Sequence, residues 1–226
     1  MGRCQTARTQ RQDRSRLSAC APRLGALLAC LVLLTSCWLP DHFLAEVRLG
    51  RNGDYALTYK GELVWAPLVQ EIKGKKLSAV EIQEKTQALL RDLKRDNGFK
   101  EIRSLGQGRF AVLYERSGRL GPRDQMVFVR RTDPLIIIET FEDGRAMVRS
   151  QALKSSQREQ IAQAGLHVTG KFRVVTDAKP LRGNPKHVTA RGFQNFVAYD
   201  WDISLSAERP VLEVDLKSSA PPPVER

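Results

Sequence analysis

The stretch "EVRLGRNGDYALTYKGELVW", residues 46–65, carries apolar residues on both sides of Asn52-Gly53. An Asn-Gly pair between two such runs is a hairpin signal, because both residues tolerate the positive φ of a tight turn. Tyr55, Leu57 and Tyr59 alternate with Ala56, Thr58 and Lys60, the period of a half-buried strand. Pro67 is expected to interrupt or end the next strand.

The clearest helix comes next. Ser78 and Glu81 have the spacing of a capping box, and Leu77 with Ile82 that of a hydrophobic staple. Ile82, Thr86, Leu89, Leu90 and Leu93 then fall on one face at helical spacing. Arg91, Lys94 and Arg95 suit the negative end of the dipole, and Gly98 is expected to stop the helix. A second, shorter helix is predicted over Ser156 to Ala164, with Ser156 and Glu159 as its box and Gly165 as its stop. The other segments with strand character are "FKEIRSL", "RFAVLYER", "QMVFVRR", "PLIIIETF", "RAMVRS", "HVTGKFRVVTDA", "FVAYDWDIS" and "VLEVDL". A loop with Pro180, Gly183 and Pro185 is expected before "FVAYDWDIS". Strands joined by hairpins, with one long and one short helix, make an α+β class with a mainly antiparallel β-sheet. The expected domain runs over residues 43–216, and the polar, proline-rich stretch 217–226 is expected to be a disordered tail.

Ahead of this domain lies "RLGALLACLVLLTSCWLP", residues 23–40. The apolar run from Leu24 to Ser36 has 13 residues, short of the ~20 that a spanning helix needs. Arg3, Arg8, Arg11, Arg14, Arg16 and Arg23 precede it against one acid, Asp13. A basic region, a short apolar region and small residues at its end have the layout of a secretory signal peptide. The four cysteines, Cys4, Cys20, Cys30 and Cys37, all stop at position 37. Leu34-Thr35-Ser36-Cys37 resembles the lipobox of bacterial lipoproteins. That resemblance implies residues 1–36 as the signal, and a diacylglyceryl thioether and a further acyl chain on Cys37. Residues 37–42 would then be a lipidated N-terminus and linker. Cys30 is the poorer candidate, with only six residues of apolar run before it. With Cys37 acylated no thiol remains for disulfides or metal. Trp38, in place of aspartate after the cysteine, resembles sorting to the periplasmic side of the outer membrane in a Gram-negative envelope.

The whole chain carries a net charge of +12. Its basic charge is spread along the chain, in groups such as Lys73, Lys75 and Lys76, or Arg116, Arg119 and Arg123, and solvated surface charge is the simpler reading. For an exported chain without an RNA-binding aromatic signature, an anionic membrane is the better partner than nucleic acid. "GLHVTGKF", residues 165–172, matches a phosphate-binding loop except at Phe172, which replaces the Mg²⁺-binding hydroxyl. It also comes after a helix and opens a strand, the reverse of the order that loop requires. His42, His167 and His187 have no metal-site spacing, and no G-x-S-x-G elbow occurs. Neither metal nor cofactor is therefore expected. Asp200 and Asp202 share one face of a strand, roughly 7 Å apart, a separation that suits acid–base work on a glycoside. The simpler reading makes them the solvent face of a strand whose Tyr199 and Trp201 are core.

"GKFRVVTDAKPLRGN" (170–184), then "VAYDWDIS" (197–204) and a last strand resemble the end of the LppM-type domain of bacterial lipoproteins. Asn184 would be the turn asparagine and Trp201 the strand tryptophan. The resemblance covers residues 43–216 and implies a membrane-tethered α+β domain, with lipid or glycolipid binding proposed for at least one member. It implies no catalytic residue. The expected protein is thus a non-enzymatic, lipid-anchored domain of the cell envelope that binds a lipid or glycolipid between helix and sheet. Ile82, Leu89, Leu93 and Trp201 are the candidate binding residues. The alternative is a structural or assembly lipoprotein acting through protein partners.

Overall fold

The computed structural model describes residues 38–129, 134–191 and 195–219. The signal segment, Cys37 and residues 220–226 of the expected tail lie outside the described residues. The elements are β1 (Trp38–Leu49), β2 (Asp54–Trp65), α1 (Ala66–Lys73), α2 (Ala79–Leu93), β3 (Phe99–Gly106), β4 (Arg109–Arg119), β5 (Gln125–Phe128), β6 (Ile136–Thr140), β7 (Arg145–Ser150), α3 (Ser155–Gln163), β8 (Gly170–Thr176), β9 (Ala178–Gly183), β10 (His187–Ala190), β11 (Val197–Ile203) and β12 (Val211–Ser219). The class is α+β, dominated by sheet.

The strands form two sheets. The larger has the order β10-β11-β8-β1-β2-β4-β3, and the smaller β5-β6-β7-β12-β9. Pairing is antiparallel except between β1 and β8. The alternation of Tyr55, Leu57 and Tyr59 buries all three, and aromatic rings join the two sheets. Phe128 of the smaller sheet lies 4.8 Å from Tyr59 and 4.6 Å from Tyr114 of the larger. Such close, tilted pairs add stabilisation of ~1 kcal/mol each beyond the area they bury.

The opening hairpin forms at the expected place, by different turn chemistry. Gly53 alone takes a left-handed φ, of 83°, while the Asn52 side chain accepts from the Asp54 N–H at 3.1 Å. Gly53 donates to the Gly50 carbonyl at 2.9 Å. A Cβ on Gly53 would meet the Leu120 carbonyl oxygen at 2.4 Å, so both its φ and its surroundings demand glycine.

Among the described residues there are three helices where the sequence suggested two. The addition is α1, and Pro67 sits in its first turn rather than ending a strand. That position tolerates proline because its missing N–H has no helical partner there in any case. In α2 the capping box is complete: Glu81 N–H donates to Ser78 Oγ at 3.3 Å and Ser78 N–H to Glu81 Oε2 at 2.7 Å. Hydrogen bonds from the Ser78 N–H and hydroxyl hold the Glu81 carboxyl below its usual range. The helix ends at Leu93, before Gly98. Gly98 instead lies against Tyr114, whose ring a Cβ would meet at 2.3 Å. In α3 the capping side chain is Gln157, accepting from Lys154 N–H at 2.8 Å, in place of the expected Ser156 and Glu159.

Two boundaries and one loop are corrected. β1 starts at Trp38, so residues 38–42 are the opening of a core strand and not a linker before Phe43. β12 continues to Ser219, beyond the expected end at Leu216. The expected proline loop is mostly strand, β9 and β10. Pro180 fits because β9 is an edge strand, where a missing N–H costs no ladder partner on the open side.

Candidate functional site

The binding surface expected from the sequence is not assembled. Ile82, Leu89 and Leu93 do share a face of α2: Leu93 is buried, Leu89 packs on the core and Ile82 is half-buried. That helix contacts β3, at one edge of the larger sheet. Trp201 lies on β11, beside the opposite edge, its ring tilted against that of Phe172 at 5.6 Å. Its indole N–H donates to Asn184 Oδ1 at 3.0 Å. The same oxygen accepts from Val211 N–H at 3.0 Å, and Asn184 Nδ2 donates to the Arg209 carbonyl at 3.0 Å. Asn184 therefore ties the β9–β10 connection to β11 and to the start of β12. Trp201 is a structural anchor in this arrangement.

Asp200 and Asp202 are each engaged. Arg173 donates to Asp200 through two nitrogens, at 2.6 and 3.2 Å, and Lys186 to Asp202 at 2.6 Å. The Lys186 ammonium holds the Asp202 carboxyl below its ordinary range. Tyr199 and Trp201, on the other face, are buried. In the 165–172 segment Phe172 is buried and Gly165, at φ 62°, closes α3.

An apolar pocket lies elsewhere, between the two sheets. Its walls include Pro40, Phe43, Val168, Phe172, Ile203 and Leu205, and its enclosed volume is about 60 Å³. Arg158, Glu208 and Arg209 stand among the residues around it. The lining comes from β1, β2, β8 and its approach and the end of β11 on one side, from Ile136 and Ser150 of the smaller sheet and the adjoining Leu135 on the other, and from the 203–210 segment. No short stretch of sequence could reveal that convergence.

Beside this pocket sits a polar cluster that the sequence also concealed. Asp41, His42 and Glu62 bring one ligand-type atom each to within 4.8 Å of one another. Asp41 is fully buried. It accepts from Arg109 Nη2 at 2.7 Å, Thr169 Oγ1 at 2.8 Å and His42 N–H at 3.0 Å. Arg109 also donates to Glu62, through Nε at 2.9 Å. His42, at φ 45°, forms the irregularity where β1 shifts register against β2 between Asp41 and Leu44. Burial pulls the Arg109 pKa down, but hydrogen bonds to Asp41 and Glu62 outweigh it and leave the guanidinium more firmly protonated than usual. A metal ion would have to displace that guanidinium from both carboxylates, so the cluster is built as a strut. Nearby, burial, with the Asp41 and Glu62 charges adding, pushes the Tyr59 phenol well above its ordinary range. The Tyr59 hydroxyl donates to the Glu62 carbonyl at 2.8 Å.

No family model matches the chain, and no curated protein matches it. Among solved structures the chain is similar to the folded domain of the Mycobacterium tuberculosis LppM protein, determined by NMR. The match has 8% sequence identity and a TM-score of 0.32, and covers 79% of this chain and 93% of that one. A likeness that weak identifies neither a shared ligand nor a shared site.

Proposed function

We propose that this chain is a non-enzymatic lipoprotein domain of the cell envelope, anchored through Cys37, that binds the tail of an envelope lipid or glycolipid between its two sheets. The observation that carries this reading is the apolar pocket beside Pro40, three residues from the cysteine of the lipobox-like segment. Its walls suit a hydrocarbon. The volume limits the ligand. About 60 Å³ is under half of the ~150 Å³ cavity that admits benzene. The pocket takes the end of one chain, and the remainder of the lipid stays outside.

Native mass spectrometry of the mature protein, extracted from membranes and released from detergent, tests the reading. The expected result is a non-covalent lipid adduct, lost on activation, in addition to the covalent mass on Cys37. Ile203→Trp fills the pocket and removes the non-covalent adduct only. A clean mass for the wild type, or an unchanged adduct in the variant, overturns the pocket. A Cys37→Ser chain that remains membrane-bound with an unshifted mass overturns the anchor.

A further inference from the structure

Among the described residues, Lys73, Lys75 and Lys76 near one end of the larger sheet lack the ion pairs that the arginines at the other end make, and they lie where the lipobox-like cysteine joins the fold. Trp38 is only 2% exposed, packed against Trp65 at 4.9 Å and Phe110 at 5.6 Å. Leu39 is fully buried in a second small core with residues of α1 and α3. The chain therefore has no slack after Cys37, since one residue spans at most about 3.6 Å. Whatever holds Cys37 holds this end of the molecule.

The same end presents the connection between α1 and α2. Lys73 reaches α3 and donates to the Ala164 carbonyl, which places the connection beside the Trp38 end. Lys73, Lys75 and Lys76 are exposed, and none makes an ion pair among the described residues. Val80, just beyond, is 65% exposed. Leu105, at the β3–β4 turn, is 41% exposed. That turn lies at the same end, because Arg109 pairs with Val64 and Trp65 with Trp38. At the far end the arginines are neutralised: Arg51 pairs with Asp177 and Arg119 with Asp54. Unpaired lysines flanked by exposed apolar side chains complement an anionic bilayer surface, with the charges among head groups and the apolar groups just below them.

We infer that the Trp38 end is a membrane-docking face, on which Lys75, Lys76, Val80 and Leu105 seat the domain on an anionic leaflet. The inference rests on the reading of Cys37 as the anchored residue, and it sets the orientation: the pocket beside Pro40 faces the lipid, and the Arg51–Asp54 turn points away.

Hydrogen exchange of the mature protein on vesicles tests this. One set of vesicles is phosphatidylcholine alone, the other an equimolar mixture with phosphatidylglycerol. Residues 73–80 and 103–108 are expected to gain protection on the mixture only, and to lose it in high salt. Each lysine brought to an anionic leaflet contributes about fivefold in binding. K75E/K76E should therefore weaken the protection by about 25-fold or more, with an unchanged melting temperature. Equal protection on both vesicles, or protection centred on residues 50–54, overturns the docking face, as does indifference to K75E/K76E. Intact mass reports the anchor separately. An unmodified Cys37 together with phosphatidylglycerol-dependent protection breaks the anchor and leaves the face standing. A lipidated Cys37 without such protection breaks the face alone.

Discussion

The hairpin of β1 and β2 has two ends held by opposite means. At the turn, Gly50 to Asp54, the contacts are short in sequence and open to water: Asn52 bonds Asp54, two residues away, and Arg119 pairs with Asp54 at the surface. At the other end, Trp38 and Asp41 are buried, and the bonds of Asp41 reach Arg109, 68 residues on, and Thr169, 128 residues on. The first end is a local structure that water could replace group by group. The second is a buried polar knot, where removing one member strands the others. The turn end sets the register of the hairpin, while the buried end joins β1 to β4 and β8.

That contrast can be broken from either side. Trp38→Ala has the largest expected effect, about 4 kcal/mol of lost stability, because a large ring is deleted from a packed aromatic cluster. Chemical denaturation checks it, and a loss under about 1 kcal/mol would show that the strand start is peripheral. Asp41→Ala comes next, at about 3 kcal/mol, since it leaves Arg109 with Glu62 alone and the Thr169 hydroxyl without its acceptor. Asp41→Asn, which keeps an acceptor oxygen, should recover part of that loss in the same measurement. If both variants cost equally, charge and not hydrogen bonding holds the knot.

At the turn end the effects are smaller. Gly53→Ala is expected to cost about 2 kcal/mol through its left-handed φ and the close Leu120 carbonyl, with the hairpin register preserved in NMR contacts. The smallest effect concerns Asp54. Hydrogen bonding from Arg119 holds the Asp54 carboxyl below the ordinary range, with Asn52 adding to it. Its stabilising contribution is thus present above the unfolded value near ~3.9 and fades as pH falls through the lower folded value. In an NMR titration Arg119→Ala should return Asp54 toward the ordinary midpoint while leaving the unfolding curve in place. A large shift of that curve would erase the distinction between the two ends.

The legibility of the sequence divides along the same line. The Asn52-Gly53 turn, the Ser78–Glu81 box and the alternation around Tyr55 to Tyr59 are properties of neighbouring residues, and each has its counterpart in the structure. Pro67 misleads because a proline that ends a strand and one that starts a helix differ only in the conformation of the residues after them. Residues 38–42 read as a linker because their neighbours in space, Trp65, Arg109 and Thr169, are remote in the chain. The helix face of Ile82, Leu89 and Leu93 and the aromatic Trp201 each stand on the expected element. Their meeting depends on which edge of a sheet the helix covers, and strand order decides against it.

By itself, then, the sequence determined what local chemistry can determine: a β-rich α+β class, the opening hairpin and the capping of α2. The tertiary structure alone decided that Trp38 is core, that Asp41 is held by Arg109 and Thr169, and that the apolar pocket lies between two sheets beside Pro40. The reason is physical. A turn or a cap is stabilised by atoms a few residues apart, whereas a pocket and a buried ion pair exist only where strands distant in sequence are brought side by side.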